Sequence, residues 1–120
     1  MSYSEPTVSA VYRFPAATLS SAAVIGRIQG PSGMTGTLVD VSVIVTTGVT
    51  VAANTIDVGT SADPDAAGTL TVPVSAANSG TNGATLVEGA QLVADGVVEV
   101  STNGECTAGA ADVLVAINWS

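Results

Sequence analysis

The chain has 120 residues, 47 % hydrophobic and 3 % aromatic, with ten acidic and two basic side chains, no lysine, no histidine and a net charge of −8. That length is one domain with room for a core, and the core must be aliphatic. Two cations are too few to displace the phosphate counterions that nucleic-acid binding releases, and binding to an anionic membrane surface fails for the same reason.

Charged residues make up 10 % of the chain, against about 25 % in ordinary globular domains. The surface is therefore expected to consist largely of Thr, Ser, Gly, Asn and Ala, and to be buried in part against other subunits.

Residues 1–20 differ from the rest. They hold Pro6, Pro15 and the small-residue run "PAATLSS", and read as an N-terminal arm or first strand followed by a loop. Residues 21–120 read as the β-sandwich domain. In "TVSAVYRF", Val8, Ala10, Tyr12 and Phe14 alternate onto one face. "GPSGMTGT", Gly30 to Thr37, has the look of a phosphate loop but lacks its lysine, so it is expected to be a tight connection between strands. In "LVDVSVIVT", Val39, Val41, Val43 and Val45 share a face and Asp40 and Ser42 the other. "TLTVPV" alternates Leu70, Val72 and Val74 with Thr69, Thr71 and Pro73; Pro73 cannot donate to a ladder and marks an edge or a free N–H side. "EGAQLVADG", Glu88 to Gly96, is the only candidate for a helical turn. "VVEVST" sets Val98 and Val100 against Glu99, and "DVLVAINWS" sets Val113, Val115, Ile117 and Trp119 on one face.

Turn signals separate these runs: Gly30-Pro31-Ser32-Gly33, Thr47-Gly48, Asn82-Gly83, Asp95-Gly96 and Asn103-Gly104. Asn-Gly and Asp-Gly supply the positive φ that two-residue hairpin turns require. The pattern predicts an all-β, antiparallel β-sandwich, jelly-roll-like, of about seven or eight short strands.

The chemistry open to these residues is narrow. Without histidine there is no Ser-His-Asp or Cys-His arrangement. Cys106 is alone, so neither an internal disulfide nor a cysteine zinc site can form; it is expected to be a small apolar packing residue. A carboxylate pair remains, but four aromatic residues do not furnish a sugar cleft, and no enzyme activity or cofactor is expected. "MSYSEPTVSAVYRF" has no cationic start or long apolar run, and no run approaches the roughly 20 apolar residues of a membrane span. Synthesis in the cytoplasm is expected.

"VGTSADPDAAGTL", Val58 to Leu70, is the stretch with the most pointed chemistry. On the EF-hand pattern Asp63 and Asp65 fall on the first and third ligand positions and Gly68 on the sixth, but Ala67 and Val74 stand where ligands belong. A looser calcium site from Asp63, Asp65 and nearby carbonyls, with Asp57 as a further candidate, is one reading. The other is a β-turn joining two strands, with Pro64 presetting φ, Asp63 accepting local hydrogen bonds and Gly68 permitting an unusual φ.

"AANTIDVGTSADPDAAGTL", following "GMTGTLVDVSVIVTTGVT", resembles capsid decoration or cement proteins of tailed bacteriophages and similar short virion proteins. The resemblance covers about residues 22–75. It implies a non-catalytic β-sandwich, assembled in the host cytoplasm and carried on the outer surface of the virion. There copies, commonly homotrimers, clamp the major capsid protein against the pressure of packaged DNA. The net charge suits an outward face, away from phosphate, and a chain without disulfides suits a reducing cytoplasm. The anchoring surface expected on these terms is the N-terminal segment with Tyr3, Tyr12, Arg13 and Phe14, since aromatics and arginine dominate interface energy. The alternative is that Tyr12 and Phe14 are core residues of a first strand. The competing function is a tail- or fibre-associated β-domain that binds a host surface glycan or protein.

Overall fold

A computed structural model of the chain describes residues 8–88, 90, 92, 93 and 97–120. Ten strands lie among them: β1 (Val8–Thr18), β2 (Ala23–Gln29), β3 (Thr35–Thr50), β4 (Asn54–Gly59), β5 (Gly68–Val72), β6 (Gly80–Thr81), β7 (Thr85–Leu86), β8 (Leu92–Val93), β9 (Val97–Thr102) and β10 (Ala108–Trp119). They form two antiparallel sheets packed as a β-sandwich. The first runs β1-β10-β3-β6, with β8 also on β3, and the second β2-β9-β4-β5-β7.

Seven of the ten strands have five residues or more, and β3 and β10 run to 16 and 12. The expected number of strands fits the longer ones; four of these are short, with five to seven residues, and β1, β3 and β10 are longer than expected. β3 is long because Thr47-Gly48 is not a turn. Gly48 lies inside the strand, where the Ser75 carbonyl passes close to its Cα.

Consecutive strands mostly change sheet. Among the described residues, only β4 and β5 are joined in sequence and paired as a hairpin. Asn82-Gly83 and Asn103-Gly104 do use positive φ, 89° and 68° at the glycines, but each carries the chain from one sheet to the other and neither closes a hairpin. Asp95-Gly96, and most of the candidate helical turn, lie outside the described residues. Leu92–Val93 of that segment pair with Gly36 and Thr35 as β8.

Aliphatic side chains from the two inner faces fill the core. Val41, Val43, Val45, Val113, Val115 and Ile117 come from the first sheet, and Ile56, Val58, Leu70, Val72, Val98 and Val100 from the second. Full burial of each such side chain contributes about 1.5–3 kcal/mol. Val39 is not among them. The β3–β10 register skips it, Ala116 opposing Asp40 and Ile117 opposing Leu38. A bulge of this kind shifts the alternation by one residue, so Leu38 is buried and Val39 exposed. Val74 is likewise exposed, because β5 ends at Val72. Pro73 then closes the strand rather than sitting in it.

The two ends of the sandwich differ. One end carries the connections 19–22, 51–53, 73–79 and 103–107. Asn54 and Thr102 are buried there, and the Asn54 amide donates to the Thr102 hydroxyl. Asn54 Oδ1 accepts the Glu105 N–H at 3.1 Å, and Asn103 Oδ1 accepts the Thr55 N–H at 3.1 Å. Cys106 is buried close by, and burial pushes its thiol up. The other end carries the connections 30–34 and 60–67.

Candidate functional site

The aspartate stretch is the connection of the β4–β5 hairpin. The Asp63 carbonyl accepts from Ala66 N at 3.1 Å, which closes a β-turn with Pro64 in its second position. The same carbonyl accepts from Thr60 N at 2.9 Å, and Thr60 Oγ1 accepts from Asp63 N at 3.1 Å. The loop is folded down onto Gly59, where any Cβ would run into the Asp63 and Pro64 carbonyls and the Ala66 nitrogen. Gly68 is a glycine for a different reason from the one expected. It sits in β5 without positive φ, and a Cβ there would meet Leu38 and the Thr85 carbonyl at 2.9 Å. It is close approach of β7 and the core that calls for glycine here.

Asp63 and Asp65 are exposed and near each other. A hydrogen bond between their carboxyl groups, which requires a proton, holds the Asp63 carboxyl above its ordinary range, with slight desolvation and the neighbour's charge adding to it. Asp57 does not join them. It lies in the middle of β4 and accepts from Thr69 Oγ1 across the ladder at 2.8 Å. Among the described residues no three acids or cysteines come together as a metal would need. Asp57 is thus not available to the calcium reading, whose Asp63 and Asp65 do stand together in the loop.

The N-terminal segment is a strand from Val8 on, paired with β10 from Val8–Trp119 to Thr18–Ala110. Tyr12 and Phe14 are half-buried and pack against the core. The Tyr12 hydroxyl accepts from Trp119 Nε1 at 2.9 Å, and the Phe14 ring occupies the space over Gly26. Arg13 points outward, its side chain 62 % exposed, and pairs with Asp112 at 3.0 Å. Of the expected anchor, then, Arg13 faces solvent and the two aromatics face inward. Tyr3 lies outside the described residues.

The glycines of "GPSGMTGT" are accounted for by packing. Gly30 and Gly36 leave the space that the buried Trp119 ring occupies, and the Met34 N–H closes the turn onto the Pro31 carbonyl at 3.2 Å with Gly33 at φ 77°.

A cavity of about 400 Å³ lies where β3 passes the end of the aspartate loop. Leu38, Ala67, Leu86 and Val87 give it aliphatic walls, and Thr37 and Glu88 its polar groups. Its size falls within that of small-molecule sites, roughly 300–1,000 Å³. Nothing in the periodicity marks it, because it depends on β7, a two-residue strand, lying against β5. The buried Asn54 and Thr102 also escape a reading of the sequence, since an Asn after "VAA" looks like a turn residue.

Compared with known proteins, the chain matches no family model and no curated sequence.

Proposed function

We propose that the protein is a structural component of a tailed-phage virion, a decoration protein that binds the outside of the head and stabilises the lattice of the major capsid protein. The observation that carries this reading is the fold of the resembling stretch. It forms β3, β4 and β5, the middle of both sheets, with Asp63 and Asp65 in a turn. The stretch with the most pointed chemistry in the sequence is a loop whose turn is closed by backbone hydrogen bonds.

The strand order supports the finer reading of the sandwich as a jelly roll. With β7 and β8 set aside, β1 neighbours β10 and β3 neighbours β6 in one sheet, and β2-β9-β4-β5 form the other. That is the nested order produced by folding a long double-stranded ribbon on itself. Such a scaffold suits a static load.

Mass spectrometry of purified particles tests the reading. Hundreds of copies per particle, and particles that lose heat or pressure resistance when stripped of the protein, support it. A handful of copies supports the second reading, a tail- or fibre-associated β-domain that recognises a host glycan or protein. The cavity beside Leu38 and Leu86 is the observation in favour of that second reading. Its described lining holds no aromatic platform for a sugar. Absence from the particle sinks both.

A further inference from the structure

The charges of the molecule are unevenly placed. Both arginines lie on the strands that end their sheets on one side, Arg13 on β1 and Arg27 on β2. Each pairs with an acid of the next strand inward, Arg13 with Asp112 on β10 at 3.0 Å and Arg27 with Glu99 on β9 at 2.9 Å. Of the other described acids, Asp40, Asp57, Asp63, Asp65 and Glu88 lie farther across, on β3, on β4, in the β4–β5 loop and after β7, and Glu105 lies at one end of the sandwich in the β9–β10 connection, off the β1 strand itself. Two copies of so acidic a chain meet with least repulsion on the β1 side.

β1 is also an edge with little protection. Among the described residues it pairs with β10 alone. Its outer side therefore presents backbone N–H and C=O groups that can template pairing, which proteins ordinarily block with lysine, proline or bulges. β1 has such devices only at its far end, where Pro15 and Ala16, at φ 53°, interrupt the register between Phe14 and Ala17. From Val8 to Phe14 it is regular. Val11, in the middle of that run, is 65 % exposed, and the single charge, Arg13, is already neutralised by Asp112.

We infer that β1 is a self-association edge: two copies of the chain pair their β1 strands antiparallel about a two-fold axis beside Val11, joining their first sheets into one. Pairing over the whole run sets Ser9 of one copy opposite Arg13 of the other and Ala10 opposite Tyr12. No like charges then face each other, and the same surface serves both partners. The inference rests on this edge and on the placement of charge, independently of the virion reading. It gives two-fold rather than three-fold assemblies.

Sedimentation velocity of the full chain over a concentration series tests it. The expected result is a dimer whose dissociation constant rises about tenfold or more in Val11→Lys, because two ammonium groups then flank the axis. Val74→Lys changes a comparably exposed valine outside the strands, 56 % exposed, and is expected to leave the dimer intact. Both variants keep the wild-type circular dichroism, since neither valine is in the core. A protein that stays monomeric at high micromolar concentration, a trimer, or an equal response to the two substitutions overturns the inference. Any of these results leaves the particle-binding reading standing, and absence from particles leaves the dimer standing.

Discussion

The Asn54–Thr102 cluster and the Asp63–Asp65 turn lie at opposite ends of β4 and put polar side chains to opposite uses. At Asn54 the polar groups are buried and bonded to one another and to the backbone of two different connections, at Leu19 and at Glu105. At Asp63 they are exposed, and the backbone, not the carboxylates, closes the turn. Buried amides and hydroxyls cost free energy unless every partner is present. Exposed carboxylates are solvated whatever their neighbours do. The quiet residues should therefore carry the stability and the conspicuous ones little of it.

Asn54→Ala is the most severe way to break that comparison. It removes the shorter of the two acceptors of the Glu105 N–H, leaving Asn103 Oδ1 at 3.3 Å, and takes the Asn54 amide donor from the buried Thr102 hydroxyl. The expected loss is about 2–4 kcal/mol in urea unfolding. A loss below about 0.5 kcal/mol, the range of ordinary surface substitutions, would show that the cluster holds nothing. At the other end of β4, Gly59→Ala asks the aspartate loop to move. The new Cβ would crowd the backbone of Pro64 and Ala66, each 2.6 Å away. Backbone yields less readily than a side chain, and the expected cost is about 1–3 kcal/mol. Amide chemical shifts should change over residues 60–67 and stay put near Asn54.

Val51 sharpens the comparison in the opposite direction. It sits in the connection that leads into Asn54, where Ala52 N donates to the Thr50 carbonyl at 2.9 Å and Val51 takes φ 73°. This is a γ-turn with a positive central φ, a strained form, and a β-branched residue is poorly suited to it. Val51 is 80 % exposed, so its side chain supports nothing. Val51→Gly should stabilise the fold by about 1 kcal/mol, the relief of the left-handed conformation less the entropy of a freer unfolded chain. A destabilised Val51→Gly would mean that the valine is held there by a contact outside this chain.

The sequence carried the sandwich because alternation of valines with polar residues admits one periodicity. Val98, Val100, Val113, Val115, Ile117 and Trp119 are buried as their pattern requires. Errors came where register is set by a neighbouring strand. Alternation alone places Val39 inward, because it cannot reveal that β10 opposes two residues of β3 with one of its own. The Asn-Gly pairs announced positive φ correctly and hairpins wrongly, since a tight turn does not say which sheet receives the next strand. The aspartate loop was legible as a turn from Pro64 and its flanking strands. The reason for its Gly68 is not legible, because close packing by a two-residue strand leaves no trace in local sequence. Tyr12 and Phe14 look alike as anchor or core residues until Trp119, 107 residues away in sequence, donates to one of them.

The smallest effect concerns the carboxylates themselves, and there Asp63 and Asp112 should respond with opposite signs. Asp63 is held above its ordinary value of 3.8, so the folded state binds its proton more tightly than the unfolded chain does. Stability then falls as pH rises through that window, and its ionisation opposes folding at neutral pH. Asp63→Asn should raise Tm slightly at pH 7, and the gain should vanish in acid below 3.8, where the wild-type carboxyl is protonated in both states. Asp112 is held below its ordinary value, first by the Ala16 N–H and then by Arg13. Its contribution is present above 3.8 and is lost as pH falls through its folded value. Asp112→Asn should therefore lower Tm at pH 7 and do less in acid. Both groups are solvent-accessible, so both shifts should be small and should shrink further with added salt. The same melts with calcium test the remaining chemical use of the turn. The wild-type Tm should not move; a rise that Asp63→Ala abolishes would mean that the exposed pair holds a cation, and that the two ends of β4 are not divided into framework and idle surface.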